Sequence, residues 1–144
     1  MNVIFIARGV PVGKGRPRFS TVNGHAVAYT PAKTANYETL VKLSYQQQCA
    51  GVKFPEDVPL GVRINAYFPI PKSTSKKKRA QMESGDIMHL KKPDCDNVAK
   101  AILDSLNGIA YNDDSQVCRL TVTKYYSENP RVNVSISEMF TYGE

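Results

Sequence analysis

The chain lacks any apolar run long enough to span a bilayer. Its apolar start, Met1 to Ala7, is short, and no signal-peptide cleavage pattern follows it. A cytoplasmic protein is the expectation. Cysteine is scarce: Cys49, Cys95 and Cys118 are odd in number and form no C-x-x-C pair. That argues against a disulfide framework and against a zinc knuckle. Three buried or half-buried free thiols are expected instead. Gly13-Lys14-Gly15 lacks the rest of a phosphate loop, so it reads as a basic loop. No internal repeat and no second domain stand out, and 144 residues fit a single domain with one sizeable core.

Acids are absent from residues 1–37, which carry Arg8, Lys14, Arg16, Arg18 and Lys33. Residues 72–92 hold seven bases against two acids, whereas residues 93–144 hold four bases against eight acids. The formal net charge of +6 thus hides two basic segments and an acidic tail. Basic segments suit a polyanion, of which nucleic acid is the commonest, or else simply a soluble surface.

Val3 to Ala7 reads as a buried strand, and Val10 to Ser20 as loop or edge strand. Asn23-Gly24 is a hairpin-turn signal, with His25 to Tyr29 as the return strand. Pro31 stands where helices start, and a helix over 33–48 is expected. Tyr37, Leu40, Val41, Ser44 and Tyr45 give it an inward stripe. Residues 51–59 are a connector, and Val62, Ile64, Ala66 and Phe68 alternate as in a strand. Residues 75–83 form a short helix or a mobile loop. A strong helix covers 95–106, ended by Asn107-Gly108. Residues 116–126 and 131–140 are rich in β-branched and aromatic side chains, and the spacing predicts an antiparallel hairpin. The fold class is α+β: one domain, a mixed β-sheet with two longer helices packed on it.

The chemistry concentrates between Lys92 and Val117, which contains Asp94, Asp96, Lys100, Asp104, Asp113 and Asp114. At about 100° per helical residue, Asp96, Lys100 and Asp104 fall at about 0°, 40° and 80°. They form one polar stripe, expected at the edge of the apolar face. Asp94 lies at the helix entrance, and the turn before Asp113 and Asp114 is short enough to bring them back near the helix. Carboxylate oxygens suit Mg²⁺, and phosphodiester hydrolysis uses such an ion to activate water and steady the phosphate. A nearby lysine can neutralise charge in the transition state. Read singly, these residues have structural uses: Asp94 as a cap, Lys100 and Asp104 as an i,i+4 pair, Asp113 and Asp114 in a turn. His25 and His89 stand alone and read as surface or hydrogen-bonded histidines. Tyr125 and Tyr126 should alternate across a sheet, one buried and one exposed.

The pattern D-x-D-N-x-x-K-x-x-x-D-x-L followed by D-D-x-Q-V resembles the signature of the RusA family of Holliday junction resolvases. It is carried by Asp94, Asp96, Asn97, Lys100, Asp104, Leu106, Asp113, Asp114, Gln116 and Val117. Lys14-Gly15-Arg16-Pro17-Arg18-Phe19 and Tyr29-Thr30-Pro31 fit as well, so the likeness spans most of the chain. It implies that Asp94, Asp96 and Asp114 are metal-binding catalytic carboxylates, with Asp113 the rival of Asp114 as a ligand. It implies that Lys100 is the catalytic lysine and that Asn97 and Asp104 support the site. It further implies Mg²⁺ or Mn²⁺ as cofactor, a homodimer, and paired nicks in four-way junctions during DNA recombination and repair. Lys14, Arg16, Arg18, Lys76, Lys77, Lys78, Arg79, Lys91 and Lys92 are the expected DNA contacts. A nuclease for flaps or forks, or a catalytically silent DNA-binding module, would be the alternatives.

Overall fold

A computed structural model describes residues 1–15 and 18–139. The elements are β1 (Asn2–Arg8), β2 (Arg18–Val22), β3 (His25–Tyr29), α1 (Ala32–Gln48), β4 (Leu60–Pro69), α2 (Lys76–Ser84), α3 (Cys95–Leu106), a 3₁₀ turn (Asp114–Gln116), β5 (Val117–Ser127) and β6 (Arg131–Glu138). Four strands form a mixed sheet in the order β1-β6-β4-β5, and β2 and β3 form a separate hairpin. The class is therefore α+β, as the residue pattern indicated. Among the described residues no helix is long and apolar enough to cross a membrane.

The sheet corrects one expectation. β5 and β6 are consecutive but do not pair with each other: β4 lies between them, parallel to β5 and antiparallel to β6. Burial explains the choice. Val132, Val134 and Ile136 of β6 are fully buried, which favours a central place, while Arg119, Leu120 and Thr121 of β5 are exposed and suit an edge. The connector Glu128-Asn129-Pro130 must cross two strand spacings, about 10 Å, and three extended residues reach about that far. Registers align Phe5, Val134, Ile64 and Val122 in one row across the sheet. On the opposite face the Arg131 guanidinium lies 3.9 Å from the centre of the Tyr67 ring, which stacks on Tyr125 at 5.2 Å. Tyr126 is buried and Tyr125 is half-buried.

Helix α1 packs on β1 and α3. Its inward side is Thr34, Tyr37, Val41, Ser44 and Tyr45; Leu40, expected there, is 40% exposed. Gln48 at its end acts as a strand in miniature. Its side chain accepts from the Ile6 N–H at 2.8 Å and donates to the Ile6 carbonyl at 2.7 Å. These bonds cover the edge-facing groups of Ile6, on an edge strand otherwise open to pairing with another chain. The hairpin β2–β3 turns at Asn23-Gly24, both with positive φ (52° and 80°), as a two-residue hairpin turn requires.

Two further corrections concern lone residues. His89 is neither on the surface nor hydrogen-bonded at Nδ1: it is buried, stacked on Phe68 at 3.8 Å and edge-on to Tyr126. Burial first, then the charges of Lys124 and Lys91, push its pKa down to about 4. Cys49 is buried and Cys95 half-buried, but Cys118 is exposed because β5 is an edge strand.

Candidate active site and nucleic-acid surface

The site is built around α3. Asp94 is its N-cap, accepting from the Asn97 N–H at 3.2 Å, and such a cap stabilises a helix start by about 1 kcal/mol. Asp96 follows in the first turn, where the helix dipole favours an anion. The buried side of α3 is Val98, Ala99, Ala101, Ile102, Ser105 and Leu106. Ala101 and Ser105 turn the packed face further round than the large apolar residues alone suggested. Asp96 and Lys100 therefore point away from the core and are exposed, rather than lying at its edge.

Lys100 follows the helix towards its C-terminal end. Its Nζ lies 3.2 Å and 3.3 Å from the two carboxylate oxygens of Asp104. The same Asp104 is 3.2 Å from the Lys14 ammonium, which also donates to Glu38 of α1 at 2.9 Å. Burial lowers the Lys14 pKa, but hydrogen bonds and charge from Glu38 and Asp104 outweigh it, so the net shift is upward. Lys14 is thus committed inside the fold. The Lys14 N–H donates to the Asn97 carbonyl at 2.9 Å, and the Gly15 N–H donates to Thr34 Oγ1 at 3.1 Å. A Cβ on Gly13 would sit 2.6 Å from Pro93 Cβ, and one on Gly15 would sit 2.9 Å from Thr34 Oγ1. Only glycine lets this loop lie so close to both helices.

The second acidic pair is held at the other end of α3. Asn107, the C-cap residue, accepts the Asp114 N–H at 2.9 Å through its side-chain oxygen. Asp113 caps the 3₁₀ turn, accepting from the Ser115 N–H at 3.0 Å, and hydrogen bonding to Ser115 keeps its pKa below the usual carboxylate value. Gln116 clamps this turn to the 51–59 connector, donating to the carbonyls of Pro55 and Val58 and accepting from Asn112. Beneath lies Tyr111, fully buried, donating to the Leu103 carbonyl at 2.7 Å. Burial, then the charges of Asp114, Asp104 and Asp113, push its hydroxyl pKa well up.

The turn after α3 brings Asp113 and Asp114 back beside the end of the helix, at Asn107, and not to Asp94 at its start. From Asp94 to Asn107 the helix rises about 20 Å, far beyond the reach of one ion. Among the described residues no three His, Cys, Asp or Glu side chains of this chain are grouped to hold a metal ion. The donors at the helix start still fit Mg²⁺ chemically. They are exposed carboxylates, and Mg²⁺ is commonly held by one or two carboxylates plus waters and substrate phosphate.

The expected DNA contacts divide. Lys76, Lys77, Lys78, Lys91 and Lys92 are exposed. The first three crowd the first turn of α2, the end where cations are unfavourable and anions favoured. Arg79 pairs with Glu128 and donates to the Pro71 carbonyl, so it serves the fold. Arg16 and the side chain of Arg18 lie outside the described residues. Sequence reasoning missed Glu38 and gave Lys33 and Gln116 no role at the site. Lys33, at the start of α1, lines a cleft of about 610 Å³ together with Lys14, Lys92 and Asn97. The Glu38 contact joins segments remote in sequence, and local spacing gave no sign of it.

Residues 8–137 match the family described as Endodeoxyribonuclease RusA. The Bacillus subtilis (strain 168) protein described as "Uncharacterized protein YqaN" is 41% identical over 140 residues, which is 94% of this chain and 95% of that protein. With a family match over nearly its whole length, this chain belongs to the RusA endodeoxyribonuclease family.

Proposed function

We propose that the protein is a Mg²⁺-dependent endonuclease, also served by Mn²⁺, that resolves four-way DNA junctions by paired nicks as a homodimer. The observation that carries the reading is the start of α3 in a chain of this family: exposed Asp94 and Asp96 follow exposed Lys91 and Lys92 with only Pro93 between. Cations beside carboxylates bring a polyanion to groups that would otherwise repel it. A bound Mg²⁺ would activate water and polarise the phosphate.

The protein supplies the rest. Asp94 and Asp96 offer hard oxygens. Lys100, aligned by Asp104, keeps an exposed ammonium for the charge that develops on phosphate. Lys76 to Lys78 hold the backbone of a DNA arm without reading bases. Asp113 and Asp114 lie too far from Asp94 to share an ion with it in one chain. A second copy that brings its Asp113 and Asp114 to the Asp94 of the first would complete both sites at once. The two-fold symmetry of such a dimer matches two opposing strands of a junction.

A cleavage assay on a synthetic four-way junction, a fork and a plain duplex, with and without Mg²⁺, tests the proposal. Metal-dependent cutting of the junction in opposing strands is expected. Cutting of forks alone would replace this reading with a flap or fork nuclease. Binding without cutting in any metal would leave a DNA-binding module.

A further inference from the structure

We infer that the cleft beside the start of α3 takes one nucleotide unstacked from the branch point of the DNA, an inference that rests on the proposed junction activity and deepens it. The cleft, about 610 Å³, lies within the 300–1,000 Å³ typical of small-ligand sites. Two kinds of group line it. Pro11, Val12, Pro31 and Pro93 supply apolar walls, against which the flat face of a base can lie. Lys33 and Lys92 are exposed at its lining. Lys14 is also present, but Glu38 and Asp104 already occupy its ammonium. Among the described residues no carboxylate lines the cleft.

Asn97 adds a means of recognition. Its backbone is engaged, with N–H donated to Asp94 and carbonyl accepting from Lys14. Its side-chain amide, half-buried in the lining, has no partner among the described residues. An amide with one donor side and one acceptor side matches the edge of an unpaired base, adenine above all. The close approach of Gly13 to Pro93 and Asn97 makes the wall here backbone, set against the helix start.

The placement gives this cleft a purpose. Asn97 lies one helical turn or less from Asp94 and Asp96, so a nucleotide in the cleft sits beside the scissile phosphate. Pulling a base out of an intact duplex costs a few kcal/mol, and least where pairing is already broken. A cleft that must be filled for the phosphate to align selects branch points over duplex, with a bias towards adenine from Asn97.

Titration of the metal-free, ¹⁵N-labelled protein with deoxyadenosine 5′-monophosphate, followed by amide shifts, tests this directly. Shifts clustered at Lys33, Thr34, Lys92 and Asn97 are expected. The Lys33→Ala/Lys92→Ala variant changes two exposed side chains and should fold normally, and it should weaken binding roughly tenfold to a hundredfold. Inorganic phosphate is the control. Equal affinity for phosphate, shifts confined to Lys76–Lys78, or no shifts would each overturn the assignment. A four-way junction with 2-aminopurine at its branch point gives a second reading. Its fluorescence should rise on binding to the wild type and rise much less with the variant. Junction cutting by a protein without cleft shifts would remove this inference alone. Cleft shifts in a protein that cuts no branched DNA would support the cleft and remove the nuclease reading.

Discussion

Lys14 and Asp104 form an ion pair at 3.2 Å that ties the first loop to α3, with Glu38 of α1 as third member. All three side chains are largely shielded from water, at 18–19% exposure, so removing one partner leaves a poorly solvated charge behind. Lys14→Met leaves Glu38 without its cation and Asp104 with Lys100 alone. We expect a loss of about 1–3 kcal/mol, read by urea unfolding. Adding Glu38→Gln to that variant should recover part of it. Because the Lys14 pKa is raised, its contribution is complete below about 10.5 and is lost only as pH rises through the folded value. A loss within 0.5 kcal/mol would mean the pair is ordinary surface.

Gly13→Ala should be destabilising by about 1–3 kcal/mol, because its methyl group would meet Pro93 at 2.6 Å. The displaced loop should also carry Lys14 away from its partners. Thermal unfolding of Gly13→Ala beside Gly24→Ala separates steric from backbone effects. Gly24 has open space around its Cβ position but a φ of 80°, so only backbone strain acts there. An unchanged melting point for Gly13→Ala would show that the loop yields freely.

His89 predicts a pH dependence of stability. Its folded pKa, about 4, lies below the ordinary 6.5, so the unfolded chain binds the extra proton between these values. Stability should therefore fall as pH drops from about 6.5 to about 4 and gain nothing further from this group below that. His89→Phe keeps the ring on Phe68 and removes the proton. Denaturation curves at pH 7 and pH 4.5 should converge more closely for that variant than for the wild type; an equal gap in both would point to another group.

The separation of the acidic pairs predicts complementation. Asp94→Asn and Asp114→Asn should each abolish cutting while leaving junction binding intact in the absence of metal. Mixed together, the two variants should regain activity. A mixed dimer holds one intact site, with Asp94 from one chain and Asp114 from the other, and one site broken twice. On a plasmid with an extruded cruciform, its product should be open circle rather than linear DNA. A mixture as inactive as its components would show that each site is built within one chain.

The lysines of α2 predict a change in salt dependence. Removing one phosphate-binding cation should flatten the slope of log K against log salt by about 0.9. The triple variant Lys76→Ala/Lys77→Ala/Lys78→Ala should therefore bind junctions with a shallower slope and show a slightly steadier α2, since cations at a helix start are unfavourable. An unaltered slope would make the run a solvated surface.

The amino-acid sequence by itself determined the local pieces: the Asp94 cap and α3, the alternation of β4, the Asn23-Gly24 turn, the basic and acidic segments, and the motif of the family. These follow from periods and caps that act over a few residues. Only tertiary structure decided which strands pair, because the buried residues of β6 compete for the middle of the sheet while β5 takes its edge. It also decided that Lys14 is an internal tie, that Arg79 serves Glu128, and that His89 is sandwiched between aromatic rings. Asp94 and Asp114 are close in sequence yet stand at opposite ends of α3, because a helix converts residue number into length at about 1.5 Å per step and Asn107 holds the returning turn at its far end.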